Sequence, residues 1–103
     1  MKKITASDFT GSRAWDAIDI EKFANASVRL HWTDAPYKWH VNDGPEVFVV
    51  LDGEVDMHVR KDGIEEIIRL RVGDIFHAAD GDEHVAHPDG PVRALVIETV
   101  GSV

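Results

Sequence analysis

The chain has 103 residues, a single domain's length, enough to bury about two-thirds of its unfolded surface. Nineteen acidic against eleven basic residues give a net charge of −8, which opposes nucleic-acid binding, and no basic run offsets it. The absence of cysteine excludes disulfides and thiolate metal sites; with no signal-like start and no apolar run of membrane-spanning length, a soluble cytoplasmic protein is expected.

In chain order, residues 1–26 read as an irregular N-terminal arm that packs on the body of the protein or on a partner subunit. Asp16 to Phe23 suits either a short helix or an edge strand, with Trp15, Ile18, Ile20 and Phe23 seeking cover. From Ser27 to Thr33, Val28, Leu30 and Trp32 alternate with Arg29, His31 and Thr33, a strand pattern. Asp34-Ala35-Pro36 reads as a turn, and Tyr37 to Asn42 alternates again.

The densest signal follows. Asp52-Gly53 is a dipeptide suited to a two-residue hairpin, which predicts Val50 opposite Val55, Phe48 opposite Met57 and Glu46 opposite Val59. These six would share one face, apolar except for Glu46. An ionised carboxylate on an interior face needs partners. His40 and Asn42, two apart in an extended segment, point the same way and would converge on it. Val47, Val49 and Leu51 make the opposite face apolar too, so a second cover is expected from the arm or from another copy of the chain. A two-fold homodimer is the expectation.

Beyond Val59, Lys61-Asp62-Gly63 is a second turn signal. Strands are expected at Ile64–Val72, Ile75–Ala79, Glu83–His87 and Val92–Thr99, separated by Gly73-Asp74, Asp80-Gly81-Asp82 and a Pro88–Pro91 loop. Seven to nine short strands punctuated by Asp-Gly and Pro predict an all-β protein, an antiparallel barrel or jelly roll, over residues 27–103.

Two stretches then carry a family resemblance. His40-x-Asn42 is followed by three residues, Glu46, six residues and Gly53; Gly73 is followed by five residues, Ala79-x-Gly81, two residues and His84. This resembles the paired motifs of the cupin family, with Asn42 where the first motif has its second histidine, Ala79 in place of a proline and Pro88 in place of an asparagine. Tyr37-Lys38-Trp39-His40 and the segment Ile97 to Gly101 are similar to small single-domain cupins of the mannose-6-phosphate-isomerase-like kind. The resemblance implies an antiparallel double-stranded β-helix and a metal held by His40, Glu46 and His84. Asn42 is the fourth candidate, its amide oxygen suiting hard cations better than zinc or copper. Two histidines and one carboxylate suit iron(II); manganese, nickel and zinc are the other expected ions.

Two functions follow from the resemblance. One is a metal-dependent enzyme of isomerase, dioxygenase or lyase type on a small polar substrate, with Lys38 or His77 as candidate base. The other is a non-catalytic ligand-binding or sensing cup with a degenerate or empty site. The bland alternative for His40, Glu46 and His84 is a self-satisfied buried polar network. His31, His58, His77 and His87 are expected on strand surfaces, and Lys38 in solvent.

Overall fold

The computed structural model describes residues 1–100; Gly101 and the last two residues of the expected barrel domain lie outside the described residues. Seven antiparallel strands are present among them: β1 (Asp16–Lys22), β2 (Ala26–Thr33), β3 (His40–Val41), β4 (Glu46–Lys61), β5 (Ile64–Leu70), β6 (Ile75–Ala78) and β7 (Glu83–Thr99). The one helical turn described is a 3-10 turn at Ala6–Asp8. Asp16–Lys22 is thus an edge strand, not a helix, paired with β2 alone.

Two long strands organise the barrel. Glu46–Val50 pairs with Ala94–Glu98, and Glu54–Arg60 pairs with Glu83–Asp89, so β4 and β7 run side by side through a shared corner. The first half of β4 continues outward to β6, and its β7 partner continues to β2 and β1. The second half is flanked by β5, and its β7 partner by β3. Phe48, Val50, Phe76, Ala78, Ala94 and Val96 from one sheet meet Val55, Met57, Leu70 and Ala86 from the other in one buried cluster. Each such side chain contributes about 1.5–3 kcal/mol on leaving water. This is the antiparallel double-stranded β-helix expected from the sequence.

The hairpin expected at Asp52-Gly53 is not formed. A two-residue type I′ turn needs positive φ at both positions, and of this pair only Gly53 has it, at 82°. The turn sits one dipeptide signal later: Asp62 and Gly63 both take positive φ, 52° and 76°, and join Lys61 directly to Ile64. At Asp52–Glu54 the register against β7 slips twice, a bulge that bends β4 from one sheet into the other. A Cβ on Gly53 would meet the Pro91 carbonyl oxygen and Val92, so the corner tolerates only glycine there. The slip explains why Glu46, Phe48, Val50, Val55 and Met57 do share the interior despite their odd spacing, while their true partners differ: Phe48 faces Phe76 and Val96, and Met57 faces Ile68 and Ala86. The loop expected at Pro88–Pro91 is likewise a corner within a continuous β7.

On β2 the two faces are reversed from what polarity suggests. Arg29 and His31 line an interior cavity, whereas Leu30 lies under the N-terminal segment, in a hollow it shares with Lys2, Ile4, Ala6, Ile20, Leu51 and Leu95. The outer face of this sheet is apolar because the arm covers part of it. Arg93 ties the arm down: its Nε donates to the Phe9 carbonyl at 2.7 Å, and its terminal nitrogens to Asp52 at 2.6 Å and to the Thr10 hydroxyl at 3.1 Å.

Candidate functional site

A cavity of about 300 Å³ opens between the sheets, lined by polar groups at its floor and by Trp15, Tyr37, Phe48, Met57 and Val96 on its walls. Three predicted residues meet there. β3 pairs His40 directly with His84 of β7, and Glu46 opens β4, so one short strand and the two long ones bring the three together. One ligand atom from each of His40, Glu46 and His84 lies within 4.8 Å of the others. His84 Nε2 is 3.9 Å from Glu46 Oε1 and 2.8 Å from Asn42 Oδ1. All four predicted residues therefore converge, and Asn42 does so through its side-chain oxygen.

The donor chemistry fits a cation. His40 Nδ1 lies 3.1 Å from the Lys38 carbonyl oxygen, which accepts only, so the neutral ring keeps its lone pair on Nε2. This is the backbone bond by which metal-ligating histidines fix their tautomer. His84 is buried, and burial followed by the neighbouring His40 lowers its pKa to about 4, so it is neutral at physiological pH. Glu46 is pushed up to about 7, first by burial and then by Glu98. A cation at this point would relieve both carboxylates.

Glu98 is the residue that the sequence reading missed. It stands directly opposite Glu46 in the β4–β7 register, where facing side chains approach closely. The two share a side-chain hydrogen bond, and burial raises the Glu98 pKa as well. The available signal was period two: Ala94, Val96 and Glu98 continue one face of β7, and the first two belong to the core. His31 was missed because its face was assigned by polarity. It lines the cavity, and burial, followed by the positive charge of Arg29, lowers its pKa to about 4.

The other histidines and the two candidate bases lie elsewhere. His58 pairs with Ile67 and Val85, and its ring lies 4.1 Å from that of His87; neither lines the cavity. His77 is exposed on β6. Lys38 is exposed, with its ammonium 5.9 Å from the Tyr37 ring. Among the described residues lining the cavity, Arg29 is the one lysine or arginine.

Known proteins place this geometry in context. No family model matches the chain. The 3-hydroxyanthranilate 3,4-dioxygenases of two strains of Xanthomonas oryzae pv. oryzae are 34% identical to it over 62 residues, 60% of this chain and 35% of theirs. The chain thus spans about a third of the length of the curated relatives it matches. A cupin-2 domain protein from Shewanella frigidimarina superposes with a TM-score of 0.76 at 23% identity, covering 90% of this chain and 86% of that one. A cupin superfamily protein from Desulfitobacterium hafniense gives 0.78 at 14%, covering 92% and 86%. The cupin domain of Cnp3 from Schizosaccharomyces pombe gives 0.74 at 12%, covering 94% and 72%. These likenesses establish a cupin fold; they do not bear on the mannose-6-phosphate-isomerase-like subtype.

Proposed function

We propose that this chain of cupin fold is a metal-dependent enzyme of dioxygenase type acting on a small molecule, with His40, Glu46 and His84 as metal ligands and Asn42 as a fourth oxygen donor. The observation that carries the reading is the meeting of those groups on the floor of an aromatic-walled cavity. Two imidazoles and a carboxylate suit iron(II), and the partial likeness to 3-hydroxyanthranilate dioxygenases favours iron over manganese, nickel or zinc. Bound there, iron(II) would supply the redox chemistry with dioxygen that no side chain of this protein can.

The chain's own residues would do the rest. Phe48, Met57 and Val96 exclude water from the floor, and Trp15 and Tyr37 flank the substrate. Glu98, not engaged as a ligand, is the carboxylate within reach of a bound molecule for proton transfer, in place of Lys38 or His77. The proposal extends to a cytoplasmic homodimer. Among the described residues, no helix is long and apolar enough to cross a membrane. Beside the covered part of the outer sheet face, Leu51 remains 40% and Ile75 67% exposed.

A second reading has its own observation. In the metal-free network His84 Nε2 is already engaged by Asn42 Oδ1, which favours a ligand-binding cup that works without an ion. Elemental analysis of untagged protein, purified without chelator, separates the two. Near-stoichiometric iron, and oxygen uptake with hydroxylated aromatic acids that His84→Ala abolishes, are expected. Protein that holds no metal and ignores added iron(II), manganese(II) and zinc(II) would overturn the enzyme reading and leave the cup.

A further inference from the structure

Among the described residues, four strands pair on one side only: β1, β3, β5 and β6. Short strands, bulges and lysines are the usual means of keeping such an edge from pairing with another chain. Three of the four edges have them. β3 and β6 are two and four residues long. β1 carries a register slip between Asp19 and Glu21 and ends on Lys22. β5 has no such guard. It is seven residues long, holds neither proline nor lysine, and runs against β4 without a slip. Its outward backbone groups therefore present a row of unpaired donors and acceptors.

The side chains on this edge point to what covers it. Ile64 and Ile67 are 66% and 62% exposed, and Ile68 is exposed as well. The charges between them divide by sign, with Glu65 and Glu66 in the first half of the strand and Arg69 in the second. A strand acidic at its start and basic towards its end repels a parallel copy of itself and attracts an antiparallel one.

From this edge we infer that two copies of the chain join along β5, antiparallel about a two-fold axis at Ile67, which rests on and specifies the homodimer proposed above. Strands β3, β7, β4 and β5 of each copy then form one continuous sheet. Ile67 is the midpoint of Ile64–Leu70, so this register alone uses the whole strand. It sets Glu65 against Arg69 of the second copy, Ile64 against Leu70 of the second copy, and Ile67 against its own counterpart. Glu66 meets Ile68 of the second copy, with Lys61 of its own chain in diagonal reach. Because Glu65 also pairs with Arg60, and Arg69 with Asp56, signs alternate along one row across the junction: Arg60, Glu65, then Arg69 and Asp56 of the second copy. Arg69 donates through its terminal nitrogens to Asp56, Glu54 and Asp89, while its Nε has no partner among the described residues. Glu65 has only a 3.5 Å contact with Arg60. The pairing consumes the same edge in both copies, so assembly closes at two.

The chain has no cysteine, so single cysteines introduced into the full chain read this register directly. Residues directly opposite in an antiparallel pair lie about 4.5–5.5 Å apart at Cα, a span that a disulfide bridges. Ile67→Cys should therefore give a covalent dimer with diamide. Ile64→Cys should not, because its two copies would stand about 20 Å apart, six residues along the strand. In sedimentation the parent should be a dimer. Glu65→Arg, which sets like charges together across the junction, and Ile67→Lys should each weaken dimerisation at least tenfold with metal content unchanged. A dimeric parent whose Ile67→Cys variant stays uncrosslinked, or Glu65→Arg and Ile67→Lys variants that dimerise as the parent does, would overturn the inference. Crosslinking through Leu51→Cys or Ile75→Cys instead would keep the homodimer and move it to the outer sheet face. A parent that sediments as a monomer would remove the homodimer and the β5 contact together.

Discussion

Replacing Glu46 by glutamine separates the two things that this carboxylate does. In metal-free protein its charge is a cost, because burial and then the facing Glu98 raise its pKa from the ordinary 4.5 to about 7. A raised native value means that the folded state holds more protons than the unfolded chain between those limits. Stability therefore falls as pH rises from about 4.5 to about 7. At pH 8 the full displacement applies, about 3 kcal/mol at ~1.4 kcal/mol per pH unit, and about 1–3 kcal/mol is expected because Glu98 shares the interaction. Glutamine keeps the shape and removes the charge, so metal-free Glu46→Gln should melt above the parent at pH 8 by roughly 4–8 °C per kcal/mol. The gain should fade as pH falls to 4.5. His31 and His84, whose lowered values weaken both proteins on acidification from 6.5 to about 4, cancel in the difference to first order. With manganese(II) the order should reverse. An ion at a hundred times its Kd adds about 2.7 kcal/mol to the parent and little to a variant lacking the carboxylate ligand. Differential scanning calorimetry at pH 5, 6.5 and 8, with and without metal, reads both effects. A metal-free variant less stable than the parent at pH 8, or one that gains as much from manganese(II), would refute the reasoning.

Three further outcomes are expected. Asn42→His should tighten manganese(II) or zinc(II) binding at least tenfold, by restoring an imidazole where the amide oxygen stands, measured by competition with a chromophoric chelator. Gly53→Ala should cost about 2–3 kcal/mol in urea unfolding, since the added carbon takes a left-handed φ and meets the β7 corner. Arg93→Ala should cost about 2–3 kcal/mol by leaving Asp52 and the Phe9 carbonyl unpaired, and hydrogen exchange should speed up across residues 9–16 before the barrel.

Much of the architecture was legible because it rests on local rules. Alternation located β2, β5 and β6 and the two halves of β4 and of β7 within a few residues, and Asp-Gly and Pro marked where the chain changes direction. The spacing of His40, Asn42, Glu46 and His84 also anticipated their convergence, since residues two apart on a strand share a face. What failed did so for identifiable reasons. Asp52-Gly53 and Asp62-Gly63 are the same dipeptide, and only long-range pairing with β7 makes the first a corner and the second a hairpin. Alternation separated Val28, Leu30 and Trp32 from Arg29 and His31, and polarity put His31 on the surface, but the arm gives that sheet an apolar outer cover, so Arg29 and His31 line the cavity.

The sequence by itself determined most of the extended segments, the places where the chain changes direction and the residues that could hold a cation, because period, glycine φ and side-chain chemistry act over a few residues. Only the tertiary structure decided which face of β2 looks inward, that Glu98 stands against Glu46, and that the rings of Trp15 and His31 meet in the cavity lining. Those facts depend on register between segments dozens of residues apart, and a one-residue change in register turns every side chain to the other face.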